Sequence, residues 1–220
     1  LIFENDLDSL VISHRKNLKA FAGLDCDNGI LRIEKKSRKT AQAVFYTDFR
    51  YAPAARRVCR GIEVEDIKNF RLSKKSSRVG YEISVPHSRF VDLAKFCPSA
   101  SFVDISEGIA KIRAVKTPEE IKALRDAIAL NDKIWTLAQK KFKYGMTELE
   151  MARIIKTLFA KYSDGEAFNT IVCVGKNAAE CHHEPDNTVW RESDPLLVDM
   201  GLMLNGYCSD MTRNILPRRP

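Results

Sequence analysis

The chain has 220 residues, of which 45% are apolar and 30% charged, a composition that packs a core and excludes a disordered chain. That length fits one large domain or two small ones, and no apolar run approaches the roughly 18–20 residues of a membrane span. The net charge of +7 would suit a nucleic-acid binder. However, the basic clusters at 35–39, Lys74-Lys75 and Arg218-Arg219 have no interleaved aromatic residues for base stacking, so they read as solvated turns.

In chain order, Leu10-Val11-Ile12 reads as a strand and 16–21 as a short helix ended by Gly23. Residues 29–33 and 43–46 are β-branched or aromatic runs joined by a polar basic loop, which predicts a hairpin. A helix over 52–59, strands over 61–64 and 79–83, a helix opened by Pro86 and running to Phe96, and a strand over 102–105 complete a layered α/β pattern. A boundary is expected near 110–116. Thr117-Pro118-Glu119-Glu120 combines a capping threonine, a first-turn proline and a glutamate that reaches back. Ile121, Leu124, Ile128, Trp135 and Ala138 then predict one apolar stripe on a long helix that ends by Tyr144-Gly145. Thr147-Glu148-Leu149-Glu150 starts a second helix with Leu149, Ala152, Ile155 and Phe159 on its inner face. Strands are expected over 168–174, 195–200, 202–208 and 211–215.

Six scattered cysteines without a CxxC pair read as reduced, small apolar residues of a cytoplasmic protein. The opening Leu1-Ile2-Phe3-Glu4-Asn5-Asp6 has neither the basic start nor the apolar centre of a secretory leader. His14 and His87 stand alone and read as structural.

The chemistry concentrates in two stretches. Asn205-Gly206 between apolar residues predicts a two-residue type I′ hairpin turn. In that register Leu204 faces Tyr207, Gly201 faces Asp210 and Asp199 faces Thr212, so Asp199 and Asp210 become diagonal neighbours within reach of one ion. Gly201 would leave the room for it. Hard oxygen ligands with a nearby histidine suit manganese, cobalt, iron or zinc. The bland alternative is one aspartate solvated at a sheet edge and the other capping a turn. Upstream, His182 and His183 lie between Gly175 and Pro185. Either one imidazole enters a cleft, or both are surface histidines.

Several phrases of the chain resemble a known family. They are 7–13, 17–23 and 46–51 in the first half, 112–121 at the junction, 168–172 with Asn177-Ala178-Ala179 and His182, and above all Asp199-Met200-Gly201 followed by Tyr207-Cys208-Ser209-Asp210-Met211-Thr212-Arg213. Together they are similar to the Xaa-Pro aminopeptidases and prolidases, pita-bread metallopeptidases with a creatinase-type N-terminal domain. The resemblance implies an α/β N-terminal domain, a mixed sheet with flanking helices, over 1–111. The first half of an α+β pita-bread domain would follow over 112–220. It implies an exopeptidase that hydrolyses the bond before a proline with two divalent ions, manganese first and cobalt, zinc or iron as alternatives. Asp199 would be a bidentate ligand of one ion and Asp210 would bridge both. His182 would donate a hydrogen bond to the substrate, and Tyr207 and Thr212 would orient the carboxylates. A proline-containing peptide as substrate and a homodimer go with the family, and the charge pattern and short apolar runs add the expectation of neither nucleic acid nor membrane as partner.

The chain also departs from the pattern. Cys181 stands where proline is usual, and neither a histidine beyond His183 nor an acidic residue beyond Asp210 supplies the remaining ligands, one histidine and two glutamates. The expectation is a fragment of such an enzyme that is inactive by itself. A metal-free creatinase-like hydrolase would not keep both aspartates, and methionine aminopeptidases lack the first domain. The alternative from another class is a non-catalytic pita-bread module that binds a protein partner.

Overall fold

The computed structural model describes residues 1–73 and 76–217, so Lys74-Lys75 and Arg218-Arg219 lie outside it. The chain forms two compact units, Leu1–Val115 and the residues from Lys116 on.

The first unit contains β1 (Ser9–Ile12), α1 (Arg15–Ala22), β2 (Gly29–Lys35), β3 (Ala41–Thr47), α2 (Ala52–Val58), β4 (Glu63–Asp66), β5 (Arg78–Tyr81), α3 (His87–Phe96), β6 (Ser101–Asp104) and α4 (Ser106–Ala114). Its six strands form one mixed sheet, β4-β3-β2-β1-β5-β6. The β1–β2 and β2–β3 pairs are antiparallel, and β3–β4, β1–β5 and β5–β6 are parallel. Strand alternation divides the apolar side chains between two layers. Leu10, Ile12, Leu31 and Phe45 join α1, α2 and α4, whereas Val11, Ile30, Val44, Tyr46 and Val79 join Leu93 of α3 with Phe70 and Leu72. Helices or turns thus cover both faces, and this explains why β1 is buried along its whole length. At Gly29 a side chain would meet Cys26, Leu18 and Phe45 within 2.9 Å, so only glycine lets α1 approach β2 this closely. His14 caps α1 without its side chain. The buried Glu82 fixes the approach to the helix instead, its Oε2 accepting from Ser13 N at 2.6 Å and His14 N at 2.9 Å, just ahead of the first turn.

The loop joining β2 to β3 carries the 35–39 basic cluster. Lys35 pairs with Asp6 and Lys36 with Glu34, on exposed ground. α4 was not legible as an element, and it carries the first unit past residue 111.

The second unit contains α5 (Pro118–Gln139), α6 (Glu148–Tyr162), β7 (Gly165–Glu166), β8 (Ile171–Val174), β9 (Leu196–Met200), β10 (Leu202–Leu204), β11 (Tyr207–Cys208) and β12 (Met211–Ile215). Both long helices begin in complete capping boxes, Thr117 with Glu120 and Thr147 with Glu150. The strands form two three-stranded sheets, β11-β10-β7 and β12-β9-β8. α5 and α6 pack on them through Ala127, Ile134, Ala138, Met151, Ile155 and Phe159.

Two sequence expectations change here. The buried face of α5 is Ala127, Asn131, Ile134 and Ala138, while Ile121 and Ile128 are exposed. The alanines let the helix axis come close to the sheet, and Ile128, one position on, is rotated about 100° away from it. The strand expected over 168–174 starts only at Ile171, because the Glu166 carboxylate holds Thr170 by its N–H at 3.2 Å and its hydroxyl at 2.7 Å. All six cysteines are free, four buried and two, Cys181 and Cys208, exposed. No helix among the described residues is long and apolar enough to cross a membrane.

Candidate functional site

The inward residues of β9 are Leu196, Val198 and Met200, all buried against the helices. Alternation turns Asp199 to the opposite face, with Thr212 across one ladder and Ile171 across the other. Asp199 Oδ1 is buried there without a hydrogen-bond partner. A carboxylate oxygen in that state is costly unless a cation meets it.

The hairpin keeps the expected register. Leu204 pairs with Tyr207 and Asp199 with Thr212, around Asn205 and Gly206 with φ of 52° and 77°, as a type I′ turn requires. The ribbon breaks at Gly201, where β10 leaves the β9 sheet for its own. The space expected beside Gly201 is not open. A Cβ there would collide with the Ser209 carbonyl oxygen and come within 2.5 Å of the Phe168 ring. A ligand-sized gap is therefore absent at that point, and the glycine serves a close crossing of two chain segments.

Asp210 follows the break and is exposed. It borders a cavity of about 340 Å³ together with Asn131, Asp132, Thr212 and Arg213. Asp132 is already paired with Arg213 at 3.0 Å. Asn131 is 1% exposed; its Nδ2 donates to the Met200 carbonyl at 3.1 Å while its Oδ1 has no partner. Tyr207, half-buried, brings its hydroxyl to 3.5 Å from Glu120 Oε1, and burial followed by that carboxylate raises its pKa. Thr212 is exposed beside Asp199.

The two histidines part company. His182 is exposed. His183 is 8% exposed, and its Nε2 lies 2.7 Å from Glu148 Oε2. The reading of two surface histidines is thus corrected for His183. Glu148, fully buried, also accepts from Val174 N at 2.6 Å, Asn177 Nδ2 at 2.9 Å and Asp186 N at 3.0 Å. Burial acts to lower the His183 pKa, but the Glu148 hydrogen bond and charge outweigh it and raise the pKa above the usual 6.5. This carboxylate escaped the sequence reading because an acidic residue in a first helical turn normally faces water beside the helix dipole. Among the described residues, Glu148, His183 and Asp186 are the three potential ligands that converge within 4.8 Å. Both oxygens of Glu148 are committed to protein donors, so the group is a hydrogen-bonded anchor for residues 175–188. The buried Cys173 thiol beneath it is pushed up to about 11, first by burial and then by Glu148, Glu180 and Asp199.

The orphaned Asp199 oxygen fits a hard divalent ion, and Asp210 offers a second carboxylate.

Both units of the chain have counterparts among known proteins. Residues 1–115 match the Creatinase/Prolidase N-terminal domain and residues 122–220 match Metallopeptidase family M24. A Mycoplasma genitalium protein provisionally named Xaa-Pro aminopeptidase is 30% identical over 98% of this chain and 61% of its own. The prolidase from Pyrococcus horikoshii OT3 superposes with a TM-score of 0.87 at 23% identity, over 100% of this chain and 63% of that one. The X-Pro aminopeptidase from Thermotoga maritima MSB8 gives 0.84 at 24% identity, over 97% and 64%. The chain spans about three fifths of the curated relatives it matches, 61% and 62% of the first two.

Proposed function

The chain belongs to the creatinase/prolidase group of metallopeptidase family M24, with its N-terminal domain followed by part of the M24 domain, and from that premise we propose that it serves a metal-dependent exopeptidase cleaving the bond before a proline. Asp199 and Asp210 would hold two divalent ions, manganese first. When bound, such ions polarise the scissile carbonyl and ease deprotonation of water. The observation that carries this reading is the buried, partnerless Asp199 Oδ1, which a purely protein-binding module would have no reason to keep.

The remaining residues act on the substrate or on the ligands. His182, exposed on the loop after β8, donates a hydrogen bond to the substrate carbonyl and stabilises the charge that develops on its oxygen. Thr212, across the ladder from Asp199, and Tyr207 orient the two carboxylates. A proline-containing peptide as substrate, a homodimer and a cytoplasmic location complete the proposal.

Calorimetric titration with Mn²⁺ tests the ligands. The 220-residue chain binds weakly, and Asp199→Asn removes that binding; two tight sites, or binding indifferent to the substitution, would refute the assignment. At the full length of its relatives, the protein hydrolyses an Xaa-Pro dipeptide, and Asp210→Asn lowers turnover by roughly a thousandfold or more, about 4 kcal/mol of barrier. Unchanged turnover in the variant overturns the bridging role.

A further inference from the structure

The first unit holds a second concave site, far in sequence from the peptidase residues. It lies on the sheet face covered by α3 and has a volume of about 500 Å³, within the roughly 300–1,000 Å³ of small-molecule sites. Its floor is apolar: Ile30 of β2, Phe70 and Leu93 are buried, and Phe96 is partly so. Its walls are basic, with Lys68, Arg71, Arg89 and Lys95 against a single lining carboxylate, Asp92.

Most of these charges are engaged. Asp92 Oδ1 accepts from Lys95 Nζ at 3.1 Å. Arg71 donates to the Lys68 and Phe70 carbonyls at 2.8 and 2.6 Å and lies over the Phe96 ring. Arg89, in the first turn of α3, is different. Its Nη2 donates to Asn28 Oδ1 at 3.2 Å, but its Nη1 is buried with no partner. Burial lowers its pKa from the ordinary guanidinium value, and the Asp92 charge opposes this only in part. A guanidinium keeps its proton nonetheless. The result is a buried cationic donor, without a carboxylate, beside an apolar floor.

We propose that this pocket binds a small carboxylate with an apolar body, the carboxylate on Arg89 Nη1 and the body on Ile30, Phe70, Leu93 and Phe96. A monoanion suits the site better than a phosphate, because Arg71 is tied to backbone carbonyls and Lys95 to Asp92, which among the described residues leaves Lys68 as the one uncommitted lining cation beside Arg89 for a dianion. A neutral apolar molecule would leave Arg89 unpaired. The same chemistry is offered by a free acid and by the C-terminus of a peptide ending in an apolar residue.

Titration of the isotope-labelled chain, followed by NMR, tests the site without relying on metal or turnover. The probes are 3-phenylpropionate, 3-phenylpropanol, inorganic phosphate, and N-acetyl-Gly-Phe with a free or an amidated C-terminus. Phenylpropionate is expected to shift the signals of Ile30, Phe70, Leu93 and Phe96, and to bind at least about tenfold more tightly than the alcohol or phosphate, the order of a charge-assisted hydrogen bond. Arg89→Met weakens it by a similar factor. Should that variant fail to fold, the acid-over-alcohol preference of the unaltered chain decides. Binding of the free peptide equal to or tighter than that of phenylpropionate, and lost on amidation, assigns the site to peptide C-termini; weaker binding assigns it to free acids. Equal binding of alcohol or phosphate, shifts confined to other residues, or no binding by either carboxylate overturns the proposal.

Discussion

A methyl group at Gly201 would compete for space with the Ser209 carbonyl oxygen and the Phe168 ring. The Ser209 carbonyl cannot withdraw easily. Ser209 N donates to the Leu202 carbonyl at 2.9 Å, and its hydroxyl accepts from Leu202 N at 3.1 Å. Gly201→Ala is therefore expected to destabilise the second unit by roughly 1–3 kcal/mol, read as a fall in its urea midpoint; an unchanged midpoint would show that the crossing has slack. At this scale the sequence was informative where chemistry repeats in a short span. Asp199, Asp210 and the Asn205-Gly206 turn form a local pattern, and their pairing follows from the count alone. Glu148 was not legible, because its partners Val174, Asn177, His183 and Asp186 come from 26 to 38 residues away and no local period announces a buried carboxylate.

Among the elements, the helix starts were the most readable, since a capping box is a contact between residues three apart. The α6 box is reinforced from outside: Glu148 N and Leu149 N donate to the Thr188 and Asp186 carbonyls, both at 3.1 Å. Thr147→Ala removes the hydroxyl that accepts from Glu150 N at 3.2 Å and should cost about 1 kcal/mol. A smaller loss than for Thr117→Ala, measured in the same denaturant series, would mean that the 186–188 carbonyls carry the helix start alone. The inner face of α5 was misread for a physical reason. Residue size predicted Ile128 inside, but the closest helix-to-sheet approach selects the smallest side chains, Ala127 and Ala138. Asn131 shares that buried face because the Met200 carbonyl gives it a partner.

On the scale of the whole molecule, the second unit is expected to carry a pH dependence centred on His183. His183 has a raised pKa in the folded state. Its contribution to stability is therefore complete below the unfolded value near 6.5 and is lost as pH rises through the higher folded value. The carboxylates with lowered pKa, Asp186 among them, remain ionised across that window. The second unit should unfold at a lower temperature at pH 8.5 than at pH 5.5, and His183→Gln should flatten the difference while leaving the first unit's transition unmoved. An unaltered pH slope in the variant would assign the effect elsewhere.

The hairpin has one further consequence. Pairs on both sides of its break, Met203 with Cys208 and Met200 with Met211, obey a single count set by a two-residue turn. The turn is thus the ruler by which β12 is placed, although the residues it places lie in another sheet. Inserting one residue between Asn205 and Gly206 would move the count by one all along β12. Thr212 would leave Asp199, and Arg213 would be carried from the Asp132 side to the far face. A loop enlargement, usually among the mildest of changes, would here rewrite which side chains meet.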